Sequence, residues 1–258
     1  MTKKLVSIII PCFNAIKYTK QCITSVLTNT SYNYELILIN NGSSDGTRKY
    51  FQNLKRNLKT NKYLNKITIL QFNKNLGVAK ALNLGIELSI GKYVCYLNND
   101  VIVSKDWLNN LTDKLNKNNK IAIIGTLFNA YEDKKLVKTI EKDTNEISRI
   151  ANFISLKNKN KLKKAKTIHG LCMLIRKNIF KKVGLFNENF YPCFGEDIEF
   201  CNRVKKAGYI LADAKDVFVF HYWNKSVRSK EFNKENYSIE EVMNTIRKKY
   251  SIPKKYKI

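Results

Sequence analysis

Three apolar runs that each stop on polar side chains constrain this chain more than any other feature. Val6-Ser7-Ile8-Ile9-Ile10 runs into Pro11-Cys12-Phe13-Asn14, and Glu35-Leu36-Ile37-Leu38-Ile39 into Asn40-Asn41-Gly42-Ser43-Ser44-Asp45-Gly46. Tyr93-Val94-Cys95-Tyr96-Leu97 ends in Asn98-Asn99-Asp100. Short, nearly continuous apolar runs read as strands covered on both faces. Helix-like segments lie between them: residues 16–27, a stretch ending near 58, and 78–89, where Ala79, Leu82 and Ile86 share one face. Residues 67–71 add another strand. Strand–helix alternation at this spacing gives a parallel sheet with helices on both faces. Ligands of such sheets bind beyond the carboxyl ends of the strands, where the three polar ends lie.

The second half is less regular. We expect a helix over 106–115 and a strand over 121–127, then a polar, Lys-rich stretch from 131 to 166 whose weak periodicity suits a functional or mobile loop region. Order returns over 168–176 and 180–186. Residues 196–206 read as a helix stopped by Gly208, and 217–220 as a last short strand ending at His221. These elements form one domain over 1–228, followed by a basic helical tail over 229–258.

Composition narrows the class. No apolar run approaches the roughly 20 residues that span a bilayer, and no leader pattern precedes the first strand, so a cytoplasmic protein is expected. Six cysteines without a C-x-x-C pair read as structural thiols rather than a zinc site. The net charge of +26 is carried mainly by lysine and spread along the chain. It is consistent with attraction to an anionic membrane surface. The scarcity of Arg argues against specific nucleic-acid reading.

Four groups of residues carry chemistry. Asn14 and Asn41 offer the donor–acceptor pairs that match a pyrimidine edge, and Gly42 lets backbone approach a flat ring; the same turn also reads as a simple helix start capped by Ser44 or Asp45. Asp100 is a hard oxygen donor for Mg²⁺ or Mn²⁺ against a phosphate, and the apolar Val101-Ile102-Val103 after it disfavours a mere cap. Glu196, Asp197 and Glu199 open a helix, either compensating its dipole or supplying a general base. His221, at a strand end, is placed to complete a metal site with Asp100.

Together these pieces resemble the inverting, nucleotide-sugar-dependent glycosyltransferases of family 2, with the GT-A fold. The resemblance rests on the order of motifs. After the two loops above come Asn75-Leu76-Gly77, Asn83-Leu84-Gly85 and Gly91-Lys92-Tyr93, then Asn98-Asn99-Asp100. Further on are Gly170-Leu171-Cys172-Met173, Val183-Gly184-Leu185-Phe186, Glu196-Asp197-Ile198-Glu199 with Arg203, and His221 with Ser226. It implies a single Rossmann-type α/β domain with a mostly parallel central sheet.

It also implies roles. Pro11, Phe13, Asn14 and Asn41 would line the base pocket, with Asp45 near it, and Asn75 and Lys80 would lie near ribose and diphosphate. Asn98, Asn99 and Asp100 stand where the family has its D-x-D-type motif, Asp100 and His221 holding the divalent metal. Asp197 matches the catalytic base, and Glu196 would help bind the acceptor. The implied reaction moves a sugar from a UDP- or dTDP-sugar to a glycan or lipid-linked acceptor with inversion; the basic charge, separately, would keep a cytoplasmic enzyme peripheral at the inner face of a membrane.

Two departures accompany the resemblance. Asn40 and Asn41 occupy a turn where the family commonly has an acidic residue, which leaves base preference open. The metal motif has one carboxylate rather than two. A non-catalytic module that binds a nucleotide-sugar or glycan on the same fold is the main alternative. Dinucleotide-binding and P-loop chemistry lack their glycine-rich motifs here.

Overall fold

In the computed structural model, which describes residues 4–57, 61–129, 139–140, 143 and 145–223, the apolar runs are the centre of one sheet. Strands β1 (Val6–Cys12), β2 (Tyr34–Asn41) and β4 (Tyr93–Leu97) are buried at every position. β3 (Leu64–Phe72) lies beyond β2 and is partly exposed. The four run parallel in the order β3-β2-β1-β4. Helices α1 (Ile16–Asn29), α2 (Thr47–Asn57) and α3 (Val78–Leu88) make the crossovers.

Alternation along each strand divides the core between two faces. Ile8, Ile10, Leu36 and Leu38 pack with Cys22, Ile23 and Val26 of α1 and Phe51 of α2. Ile9, Ile37 and Ile39 pack with Leu82 and Ile86 of α3 on the other side. A strand interior cannot be read as amphipathic when both of its faces are covered this way, which explains the unbroken apolar runs.

Beyond β4 the sheet continues as β8 (Cys172–Arg176), β6 (Ile121–Phe128), β9 (Ile210–His221) and β5 (Val101–Val103), with β7 (Leu162–Lys164) also on β9. β8 runs antiparallel to both β4 and β6, and β5 and β7 antiparallel to β9. Six strands thus share a direction, and β5, β7 and β8 oppose them. Helices α4 (Trp107–Lys117), α5 (Asn145–Lys157), α6 (Asn178–Val183) and α7 (Glu196–Lys206) complete the layers.

Two differences from the expected elements have physical causes. The last strand has 12 residues rather than four, because its first half alternates polar and apolar residues. Asp216 within it is buried against Lys114 of α4 at 2.7 Å and also accepts the Asn160 N–H at 2.7 Å. The 131–166 stretch contains α5, which buries only Ile147 and Ala151 fully and so leaves a faint periodic signal. Ser226 and the tail over 229–258 lie outside the described residues.

The short β5 matters most for the site. Its antiparallel pairing sets Val101 opposite His221, and Val103 opposite Val219. The chain leaving β4 is therefore brought back against the end of a strand more than a hundred residues later. Among the described residues, no helix is long and apolar enough to cross a membrane. All six cysteines are free and buried, as structural thiols should be.

Candidate active site

The first strand lies between β2 and β4, so the chain winds one way from β1 to β3 and the other way to β4. A crevice at that reversal is the expected binding place of an open α/β sheet. The loops after β1, β2 and β4 meet there and bond to one another. The Asn14 N–H donates to Ser43 Oγ at 2.9 Å, and Asn14 Oδ1 accepts the Ser44 N–H at 2.9 Å. Asn99 Nδ2 donates to Thr19 Oγ1 at 2.9 Å and to the Asn14 carbonyl at 3.4 Å. Asn14 itself holds φ at 54°, a left-handed conformation that Asn tolerates better than most residues.

Asp45 joins two helices. Its Oδ2 accepts the Ile16 N–H at the start of α1 at 2.7 Å. Its Oδ1 accepts from Thr47 Oγ1 at 2.6 Å and from the Thr47 N–H at 3.2 Å, at the start of α2. The cap expected at Ser44 or Asp45 is therefore Asp45, and it serves both helices.

Asn41 is a clamp. Its Nδ2 donates to Asn75 Oδ1 at 2.8 Å and the Gly77 carbonyl at 3.3 Å, while its Oδ1 accepts the Leu76 N–H at 2.9 Å. Asn75 Oδ1 also accepts the Gly77 N–H at 3.0 Å. The loop lies so close that a Cβ on Gly42 would sit 2.4 Å from the carbonyl carbon of Lys74, at a φ of +83°. Neighbouring Asn40 binds Gln71 Oε1 at 2.7 Å and the Ser43 N–H at 2.9 Å. Pro11 is buried beneath these loops, and Phe13 is half-buried beside them. Lys80 forms an exposed pair with Glu188 at 3.8 Å.

At the other end of the crevice, Asp100 and His221 are brought together. Asp100 Oδ1 lies 2.9 Å from His221 Nε2, and both side chains are buried. The His221 backbone is fixed by Asn129, whose Oδ1 accepts its N–H at 2.8 Å and whose Nδ2 donates to its carbonyl at 3.1 Å. The Asp100 carbonyl accepts the Tyr222 N–H at 3.0 Å. Asn98 precedes them, its N–H donating to the Leu171 carbonyl at 3.0 Å. His221 Nδ1 is buried with no hydrogen-bond partner among the described residues.

The carboxylate–imidazole pair fits a divalent cation. Two adjacent ligands at about 2.1 Å from one octahedral ion are themselves roughly 3 Å apart, and these two atoms are 2.9 Å apart. Among the described residues no cluster of three or more His, Cys, Asp and Glu could hold a metal. A cation here would take its remaining ligands from phosphate and water, as Mg²⁺ commonly does.

The third cluster is the start of α7. Asp197 Oδ2 accepts the Gly170 N–H at 2.8 Å, and its Oδ1 accepts the Ile198 N–H at 2.8 Å. Glu196 beside it is buried, with Oε2 lacking a partner among the described residues. Burial first, and then the charge of Asp197, push the Glu196 carboxyl up to about 8. It therefore carries a proton at neutral pH, while Asp197 bonds to N–H donors only. Arg203, four residues on, pairs bidentately with Glu199 at 2.7 and 2.8 Å and donates to the carbonyls of Val183 and Leu185. Those two residues fasten the helix. The acid-first, base-last pattern of α7 also complements its dipole.

Tyr96 connects the clusters. Its phenol is pushed well above its usual range by burial, then by the charges of Glu196, Asp197, Cys193 and Asp100. Tyr96 lies beside the Gly170–Leu171 segment, whose Gly170 N–H binds Asp197 and whose Leu171 carbonyl accepts the Asn98 N–H, two residues before Asp100. Its ring covers Gly170, where a Cβ would sit 2.4 Å from the Tyr96 Cε1. Tyr96, Gly170 and Asn129 received no role from the sequence. For Asn129 a signal existed: like Asn98, it ends a buried strand.

A sequence profile described as "Glycosyl transferase family 2" matches residues 7–184. The chain belongs to this family. Over 242 residues it is 27% identical to a glycosyltransferase of Haemophilus influenzae, covering 90% of the chain and 69% of that protein. Over 222 residues it is 25% identical to glycosyltransferase AglE of Haloferax volcanii, covering 85% and 67%. A glycosyltransferase of Rickettsia prowazekii is 31% identical over 201 residues, covering 76% and 58%. The chain thus spans about three fifths to two thirds of the length of these relatives.

Solved GT-A glycosyltransferases share the fold. A mannosyltransferase of Pyrobaculum calidifontis, in complex with GDP-Man and Mn²⁺, superimposes with a TM-score of 0.64 at 15% identity, over 91% of this chain and 60% of that one. TarS 1–349 of S. aureus, in complex with UDP-GlcNAc, gives 0.60 at 18% identity, over 95% and 65%.

Proposed function

We propose that this family 2 glycosyltransferase moves a sugar from a pyrimidine nucleoside-diphosphate donor to a hydroxyl of a glycan or lipid-linked acceptor, with inversion. The observation that carries the reading is the Gly170–Leu171 segment at the edge of the sheet, which binds Asp197 through the Gly170 N–H and the turn before Asp100 through the Leu171 carbonyl. A base and a phosphate-side group tied to one segment are what a single displacement needs.

The donor would lie across the loops after β1, β2 and β3. Asn41 bonds to Asn75, Asn14 to Ser43 and Ser44, and Asp45 to Ile16 and Thr47, so together they fix the shape of this pocket, and Phe13 offers a wall for the base. Gly42 serves the chain's own packing rather than a flat ring, since its open side faces the backbone of Lys74 and Asn75. Asn98 and Asn99 hold the turn that aims Asp100, and Lys80 lies on the first turns of α3 on the diphosphate side. Asp100 and His221 would hold a divalent cation, Mg²⁺ or Mn²⁺, which supplies charge stabilisation to a departing diphosphate.

Asp197 then acts as the general base. The Gly170 and Ile198 N–H groups hold its carboxylate in place, and it takes the proton of the acceptor hydroxyl as that oxygen attacks the anomeric carbon. Glu196, protonated at neutral pH, can donate a hydrogen bond to an acceptor oxygen, which an ionised carboxylate cannot do. A single attack from the face opposite the nucleotide inverts the anomeric centre.

Asp197→Asn tests the reading. Turnover should fall by about 10²–10⁴-fold, the usual worth of a positioned base. Donor binding, read as a UDP- or dTDP-induced shift in melting temperature in the presence of Mn²⁺, should be preserved. Near-normal turnover in the variant would remove Asp197 as the base. A nucleotide shift unchanged by EDTA would remove the cation from Asp100 and His221.

A further inference from the structure

Away from the crevice, the α5–β7 surface has the composition of a face that is not meant for water. α5 turns Ile147 and Ala151 inward, where they pack with Ile102, Phe218, Phe220 and Tyr222. Its outer side carries Phe153 and Leu156, which are 64% and 80% exposed. The two are three residues apart and so share one side of the helix. Leu162 of β7 adds a third exposed apolar side chain. Singly exposed apolar residues are ordinary, but a cluster of large ones on one face marks an interaction surface.

Lysine dominates the charge along this segment, and the acid that faces it is Asp213 of β9, opposite Lys163. Lys157, Lys159, Lys161, Lys163, Lys164 and Lys166 fall within ten residues, all exposed, with no acidic residue among residues 157–166. Lys157 lies over the Phe153 ring, its Nζ 5.7 Å from the centroid. Apolar side chains at the centre and lysines around them are the pattern of a helix lying in a lipid interface, apolar face down and ammonium groups at the phosphates.

We propose that the α5–β7 face docks this protein on an anionic lipid bilayer. Phe153 and Leu156 enter the boundary between headgroups and acyl chains, and the lysines on their side, Lys157 among them, bind the headgroup phosphates. Charge selects this occupant. A second copy of the chain would bring the same lysines against each other, and a nucleic acid would engage the lysines but leave Leu156 without a partner. The surface lies on the membrane and does not span it. Phe220 and Tyr222, which flank His221, share the apolar cluster beneath α5. Docking therefore holds the Asp100–His221 end of the crevice one helix layer from the lipid, and a lipid-linked acceptor needs only a short reach.

The docking claim stands or falls without the transferase reading, because it is read on vesicles. The full chain is sedimented with vesicles of phosphatidylcholine alone and of phosphatidylcholine mixed with phosphatidylglycerol. Binding to the mixed vesicles, weak binding to the neutral ones and release at high salt are expected. The double variant Phe153→Ser, Leu156→Ser should lose at least tenfold in vesicle affinity. Lys157→Gln and Lys159→Gln should each lose about fivefold, equivalent to about 1 kcal/mol per lysine.

Equal binding to both vesicle types, or no binding, overturns the proposal. So does binding that falls with the lysines but not with Phe153 and Leu156, which would be polyanion attraction such as nucleic acid provides. All variants should keep the wild-type melting temperature and the nucleotide-induced shift, since none of these side chains reaches the crevice.

Discussion

The loops after β1, β2 and β3 use up their own polar groups, whereas the rim made by α7 and the end of β9 does not. On the first side, both N–H groups of the Asn41 amide are bonded, and the Asp45 carboxylate caps two helices. On the second side, Glu196 Oε2 and His221 Nδ1 are buried without partners among the described residues. A buried polar group left unpaired costs about 1–3 kcal/mol, so this rim is held against its own stability. The difference separates a frame from a reactive edge: the first fixes a shape before any ligand arrives, the second keeps polar capacity in reserve. Substitutions on the two sides should therefore differ in kind. Asp197→Asn, the largest effect expected, should cut turnover by about 10²–10⁴-fold and lower the melting temperature by only a few degrees, since the amide can accept one of the two N–H groups that the carboxylate holds.

Asp45→Ala should do the reverse in stability. It deletes two helix caps at once, each worth about 1 kcal/mol. For a chain of this size that lowers the melting temperature by about 4–8 °C, since 1 kcal/mol is worth about 2–4 °C. A thermal scan reads it directly. An unchanged melting temperature would show that the frame is not self-supporting, and the comparison would fail on its firmer side.

Glu196→Gln should stabilise, and only in part of the pH range. The folded carboxyl titrates near 8, against an ordinary value of 4.5. Between those two values the folded protein holds a proton that the unfolded chain has released, so stability falls as pH rises through the window. Glutamine carries no such proton. The variant should match the wild type below the lower value and melt several degrees higher above the upper one, with the gap opening between them. A wild-type profile that is flat over this range would place Glu196 in contact with water.

The frame was readable in the sequence because it is local. An apolar run buried on both faces ends where the core ends, so β1, β2 and β4 and their polar loops are visible as strings. α7 was readable for a similar reason: its acids, apolar positions and bases lie in order within 11 residues. The first half of β9 was not, since Asp213, Lys215 and Asp216 interrupt it and the partner of Asp216 lies on α4. α5 was missed because only two of its side chains are fully buried. Asp100 and His221 were each suspected, but their 2.9 Å contact follows from the β5–β9 register, which no local pattern encodes. Roles for Tyr96 and Gly170 needed the packed structure, since a buried tyrosine and a glycine look alike in any core.

Lys80 gives the smallest effect and the finest distinction between frame and edge. It is half exposed and 3.8 Å from a half-exposed Glu188, a pairing too loose and too wet to contribute more than about 0.5 kcal/mol. Glu188 does not depend on it, because Oε1 also accepts from Asn83 Nδ2 at 3.0 Å. Lys80→Ala should therefore leave the melting temperature of the free protein within about 2 °C, by the same conversion. If Lys80 turns from Glu188 to the donor diphosphate, the variant should lose several-fold in affinity for UDP while keeping its affinity for uridine, which has no phosphate to contact. Equal losses for both would move Lys80 from the diphosphate to the nucleoside. No loss for either would make it a surface lysine, and the diphosphate would then rest on the backbone of the Asn75–Gly77 turn and on the Asp100–His221 end of the crevice.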